Sequence, residues 1–246
     1  MVVGGNGSGN KCSRCSDVQI VDFSARTKSC PNPPNYPIAM AGATGAIVED
    51  HPIICGGYSG ERHNECYRHD NVTNQWTFLA NMTAKRSTSA SVQLKNQLFV
   101  MGGFIGDNKA LSSTEYISPV KFLSKRGPDL PSTQYRHCAV RLKSGKVMII
   151  GGLPAENAKA VTVFDPDENT FDQSLPSMIN QRWNFGCAVF NSAMHENRSI
   201  ILAAGGLNLE TAEVYDYTQP NATWIESKIR VINGIIDKSH CFNRYP

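Results

Sequence analysis

Charge, helical periodicity and long apolar runs are all scarce in this chain. Only 18% of the 246 residues are charged and the net charge is +3. That is no electrostatic case for nucleic acid, and no local run of lysine and arginine makes one. No apolar stretch approaches the roughly 20 residues a membrane helix needs, so no membrane span is expected. Met1 to Gly5 carry neither the basic head nor the apolar stretch of a signal peptide. No long segment repeats its apolar residues with helical spacing. The G-x-S-x-G elbow, the phosphate loop and H-E-x-x-H do not occur. No catalytic residue, cofactor or metal is therefore assigned. The length and 41% hydrophobic content suffice for a sizeable core and exclude disorder, collagen and coiled coil.

Cysteine is not scarce. There are eight, an even number that permits full pairing. Asn-X-Ser/Thr sequons stand at Asn6, Asn71, Asn81, Asn197 and Asn221, candidate glycosylation sites if the chain is secreted. Together they lean towards an extracellular protein, with a cytoplasmic one as the alternative.

A Gly-Gly pair recurs at Gly4-Gly5, Gly56-Gly57, Gly102-Gly103, Gly151-Gly152 and Gly205-Gly206, in steps of 52, 46, 49 and 54 residues. The last four close short apolar runs such as Leu98-Phe99-Val100-Met101 and Val147-Met148-Ile149-Ile150, which read as strands. After each pair come a polar loop, an alternating strand such as Val161-Thr162-Val163-Phe164-Asp165, and a turn rich in Asn, Asp and Pro. An aromatic residue, Trp76, Phe122, Phe171 or Trp224, opens the next strand. A small-residue strand then leads back to the following Gly-Gly. Each unit is thus four antiparallel strands in about 50 residues, and several such sheets must stack to bury both faces.

The pattern resembles the kelch repeat family. It is carried by the Gly-Gly pairs, by Tyr67 to Asp70, Val163 to Asp165 and Val214 to Asp216, and by the Trp or Phe at the head of each last strand. The resemblance implies an all-β fold, a kelch-type β-propeller of four-stranded blades, with four full blades plus partial ones. As a single domain over 1–246, the blades divide near 1–38 (partial), 39–82, 83–127, 128–177, 178–230 and 231–246 (partial). The first copy lacks an aromatic strand head between Asp22 and Pro37, and the third lacks an Asp after Tyr116. Two endings are expected to compete. In one the chain is a slice of a longer protein. In the other Ser239-His240-Cys241-Phe242, which resembles Arg136-His137-Cys138-Ala139, closes a five-bladed ring.

Cys55 and Cys66 flank a hairpin loop at positions that can face each other, and are expected to form a disulfide. Cys12-x-x-Cys15 has only Cys30 nearby and is read as a loop disulfide set, not zinc. Cys138, Cys187 and Cys241 recur at the starts of first strands. The resemblance makes these strands innermost and could bring two of the cysteines together, but they are read as small buried residues, as at Ala90. Arg86, Arg136 and Arg182 each precede a first strand. They are either a ligand-binding ring with Trp183 or scaffold residues bonded to carbonyls. The loops after each Gly-Gly differ in every blade, the usual layout of a binding surface. The expectation is a non-catalytic module that binds a protein partner, or a glycan, outside the cell. The alternatives are an intracellular adaptor for a ubiquitin ligase, whose N-terminal domain lies beyond this chain, and, remotely, a copper oxidase of related fold.

Overall fold

The computed structural model describes residues 2–3, 16, 18–19, 34–191, 199–207 and 209–230. Near the N-terminus β1 (Val2–Val3) pairs antiparallel with β2 (Val18–Gln19). Four four-stranded blades follow. The first is β3 (Thr44–Val48), β4 (His51–Cys55), β5 (Glu65–Asp70) and β6 (Gln75–Asn81). The second is β7 (Ala90–Leu94), β8 (Gln97–Met101), β11 (Thr114–Ser118) and β12 (Leu123–Arg126), with a small hairpin of β9 (Phe104–Gly106) and β10 (Lys109–Ala110) in its loop. The third is β13 (Cys138–Arg141), β14 (Val147–Ile150), β15 (Val161–Asp165) and β16 (Thr170–Asp172). The fourth is β17 (Gly186–Asn191), β18 (Ser199–Ala204), β19 (Thr211–Asp216) and β20 (Ile225–Arg230). Every blade is antiparallel in sequence order.

The blades pack face to face, so strands that would alternate on a one-sided sheet are buried on both faces. All four residues of β14 are buried, as are Leu98 to Met101 of β8. The faces meet in clusters that cross blade boundaries: Val48, Ile53 and Leu79 with Leu98, Val100 and Ile117; Phe99 and Met101 with Val147 and Phe164; Met148 and Val163 with Ile201 and Tyr215. Three of the four strand-head aromatics, Trp76, Phe171 and Trp224, pack into the apolar clusters, whereas Phe122 stays in the turn before β12 and is 56% exposed, against expectation. Trp224 stacks on Tyr215 at 5.3 Å and its indole N–H donates to Pro176 O at 3.0 Å. Trp76 likewise donates to Pro34 O at 3.1 Å. Tyr36, in the stretch without an obvious strand head, is 2% exposed and packs edge-on against Tyr67 and Trp76. The expected partial blade at 231–246, with Cys241, lies outside the described residues, as do Cys12, Cys15 and Cys30.

First strands line up side by side, β3 on β7, β7 on β13 and β13 on β17. One position in each junction is decided differently. Between the first two blades Thr44 Oγ1 donates to Ser91 Oγ at 2.7 Å. Ladder register makes Cys138 and Cys187 the same pair of positions between the last two, and there the structure joins them as a disulfide, Cα atoms 6.0 Å apart. This corrects the reading of both as unpaired buried residues. The partners sit one residue out of step between neighbouring strands, so aligning repeats position by position hides the pairing. Cys55 and Cys66 face each other directly across β4 and β5, fully buried, and are disulfide-bonded with Cα atoms 4.1 Å apart. Peptide mapping without reduction is expected to recover both linked pairs. Chain-entropy estimates give about 3 kcal/mol of stability for the shorter loop and about 4 for the longer. Alkylation of any of these four cysteines in unreduced protein contradicts the pairing.

His137 precedes β13 with both ring nitrogens buried and without a protein hydrogen-bond partner. Burial pushes its imidazole down to about 3. As pH falls below 6.5 the unfolded chain protonates first, so stability is lost between about 6.5 and 3 and levels off below that. The same position is Ser89 in the second blade and Phe185 in the fourth. His137→Phe is expected to remove this component, on the order of 3 kcal/mol by pH 4. Parallel pH–stability curves for the two proteins would contradict it.

Candidate protein-binding surface

Among the described residues, the first glycine of each Gly-Gly pair has positive φ, including 63° at Gly56, 58° at Gly102 and 58° at Gly151. A Cβ there would collide with a carbonyl oxygen from the corner entering the next blade: Arg86 O, Gln134 O and Arg182 O. The second glycine donates to the same oxygen, with Gly57, Gly103 and Gly152 N at 2.9, 2.8 and 2.8 Å. This fixes where the corner residues stand, and it shows that the sequence spacing misaligned one of them. Gln134, not Arg136, occupies the place of Arg86 and Arg182.

Arg86 and Arg182 are fully buried and belong to the scaffold, which corrects their reading as a ligand-binding ring. Arg86 donates to Gly102 O and Ser113 O, both at 2.8 Å, and pairs with Glu115 at 2.6 Å. Arg182 donates to Thr211 O at 2.8 Å and to Gly205 O at 2.6 Å, and pairs with Glu213 at 2.9 Å. The acids also cap backbone: Glu115 accepts from Thr83 N at 2.7 Å, and Glu213 from Ile179 N at 2.7 Å and Asn180 N at 3.0 Å. All four side chains have 0% exposure. In the third blade Gln134 donates to Gly151 O, and Thr162 fills the place of the acid. In the first blade the two places are Met40 and Tyr67, packed together. The arginine appears only with its glutamate, as the cost of an unpaired buried charge requires. Sequence reading missed Glu115, Glu213 and Gln134, since the acids stand 13 and 8 residues after their Gly-Gly pairs.

The residue after each corner position and the residue after each Gly-Gly come together at one end of the blades. Ala41, Ser87 and Tyr135 bridge Tyr58, Phe104 and Leu153, and Leu207 N donates to Trp183 O at 3.2 Å. A continuous ladder of rings and guanidinium groups results. Arg62 lies between Tyr58 and Phe104, 5.2 and 4.8 Å from their centroids. Phe104 stacks on Tyr135 at 4.9 Å, and Arg136 lies 5.9 Å from the Tyr135 ring. Arg136 has φ 55°, equivalent to Thr88 and Asn184. Next to the ladder, Trp183 lines a shallow depression with Ile179, Leu207, Leu209 and Lys159. Tyr58, Ile105, Ile179 and Leu207 are 38 to 53% exposed. Of the sequons, Asn81 and Asn221 are exposed, and exposed Asn71 donates to Asp50 O at 2.7 Å. Asn6 and Asn197 lie outside the described residues.

Residues 85–131, which begin beside Arg86 and span the second blade, match the Kelch motif family model. This is a kelch-repeat protein. The chain is 36% identical over 143 residues to the Spermatocyte protein spe-26 of Caenorhabditis elegans, covering 54% of this chain and 25% of that one. It is 36% identical over 80 residues to Kelch-like protein 25 of Rattus norvegicus, covering 32% and 13%. The matches therefore span a quarter or less of these relatives' length. The solved structure of YjhT shares the fold, with a TM-score of 0.63 at 19% identity over 82% of this chain and 68% of that one.

The buried pairs of this kelch-repeat protein make a direct test. Arg86→Ala is expected to lower stability by about 3–5 kcal/mol, because Glu115 is left buried and unpaired. Arg86→Met with Glu115→Tyr, which copies the first blade, should recover most of that in urea unfolding. A double variant no better than Arg86→Ala would contradict the role.

Proposed function

We propose that this chain is a protein-recognition module whose partner docks on the ladder Tyr58, Arg62, Phe104, Tyr135 and Arg136 and the adjoining Trp183. The observation that supports it most is the line of half-buried to exposed aromatic and arginine side chains, in ring and cation–π contact, held by a rigid scaffold. Arginine, tyrosine and tryptophan are the side chains enriched at interface hot spots, and the scaffold limits the entropy lost on binding. Arg136 and Trp183 remain ligand-binding candidates here, now without Arg86 and Arg182. A glycan is the alternative occupant of the same face. Two disulfides and the exposed sequons favour an oxidising, extracellular setting. The matches to Kelch-like protein 25 support the second reading, an intracellular adaptor.

A photocrosslinking residue placed at Ile105 should capture the partner, and one placed at Val72, on the turns at the opposite end, should not. Tyr135→Ala, Arg136→Ala and Trp183→Ala should each weaken binding about tenfold or more. Salt should weaken it further through the partly exposed Arg62 and Arg136. Capture from Val72 alone, or full affinity in all three variants, overturns the assignment. Protein purified with free thiols at Cys55 and Cys138 favours the intracellular reading.

A further inference from the structure

One polar cluster beside this surface is not required by the fold. In the loop between β4 and β5, Ser59 Oγ is 2.5 Å from His63 Nε2. His63 Nδ1 is 3.3 Å from Glu65 Oε2. With Nδ1–H donating to Glu65, Nε2 is free to accept the serine proton, the arrangement of an activated nucleophile. The loop is fixed by backbone bonds: His63 N to Gly57 O at 3.0 Å, Arg86 N to His63 O at 3.0 Å, and Ser59 N to Glu61 O at 2.9 Å. Glu65 Oε2 also accepts from Asn64 N at 3.0 Å. Burial raises the Glu65 carboxyl, but backbone N–H groups and His63 outweigh it and hold it below the usual range. The imidazole is nearly buried, while Ser59 is partly exposed.

The other blades provide an internal comparison. The carbonyls of His63, Leu111 and Ala158 accept the corner N–H groups of Arg86, Gln134 and Arg182, so these three positions are equivalent. The carbonyls of Glu65, Ser113, Ala160 and Thr211 accept from the first glycine of each pair, so these four are equivalent. Ser59, second after Gly-Gly, corresponds to Ile105 and Pro154. Leucine or alanine serves the scaffold as well as histidine does. Ser59 and His63 therefore answer to something other than folding, while Glu65 stands where Ser113 and Thr211 accept from Arg86 and Arg182 but meets His63 instead.

We propose that Ser59, His63 and Glu65 form a nucleophilic serine centre that hydrolyses carboxylic esters at the edge of the recognition surface. Ser59 Oγ adds to the ester carbonyl carbon as its proton passes to His63 Nε2. The ester C–O bond breaks, and the alcohol leaves with that proton while the acyl group stays on Ser59. Water then attacks the acyl-serine, giving one proton to Nε2, which returns it to Ser59 Oγ as the carboxylic acid departs. Glu65 is a positioning residue that keeps the proton on Nδ1. Tyr58, next to the nucleophile and 38% exposed, offers apolar surface to the acyl group.

The test is labelling of the purified chain by a fluorophosphonate, with peptide mapping, alongside hydrolysis of p-nitrophenyl acetate. An adduct on Ser59 is expected, and Ser59→Ala should lose both signals. His63→Leu restores the residue of the second blade and should keep the fold while slowing labelling about 100-fold or more. His63→Gln keeps a donor for Glu65 but cannot take the proton, and should slow it equally. Glu65→Gln should slow it less, at an unchanged melting temperature. No adduct on Ser59, or equal labelling in His63→Leu or His63→Gln, overturns the proposal. Partner binding measured on Ser59→Ala is independent of that outcome.

Discussion

The contact on which the rest depends is backbone against backbone. In the first three blades a glycine pair at the end of the second strand lies against the carbonyl of the corner that opens the next blade, at 2.8–2.9 Å. No side chain fits there. The first glycine adopts a left-handed conformation, and its missing Cβ is the space the neighbouring carbonyl occupies. Because the contact joins one blade to the next, it sets both their spacing and the position of the corner residue. That residue then turns its side chain into the next blade to meet the carbonyls of the following Gly-Gly corner.

Around this constant contact the blades solve one problem with different chemistry. The corner residue and its partner on the third strand are Met40 with Tyr67, Arg86 with Glu115, Gln134 with Thr162, and Arg182 with Glu213. Each pair is matched in polarity, since a buried charge or amide without its complement costs more than the apolar alternative. The junctions between first strands vary in the same way: a Thr44–Ser91 hydrogen bond in one, the Cys138–Cys187 disulfide in another. The scaffold tolerates these exchanges because each is local to one junction.

With the interior so occupied, the groups available to a ligand are those the scaffold leaves at the loop end. Arg62 and Arg136 lie against exposed or half-exposed rings and are themselves partly exposed. The interior and rim arginines are indistinguishable by residue type. Burial and partner separate them.

Legible from the residues alone were the repeat, the strand order within each blade, the all-β class and the Cys55–Cys66 pairing. All of these are short-range: a strand pattern, a turn, a glycine pair, two residues across one hairpin. Sequence reading could not separate Arg136 from Arg86 and Arg182, because one corner differs in register and only the hydrogen bonds to the glycines reveal it. It did not find Glu115 and Glu213, which reach their arginines across loops of unequal length. It missed Cys138–Cys187, whose partners are staggered by one residue between different blades. It passed over Ser59, His63 and Glu65, three residues on one loop whose side chains converge only because backbone bonds to Gly57 and Arg86 fold that loop back on itself. Tertiary structure decided these matters, because burial and convergence arise where separate segments meet.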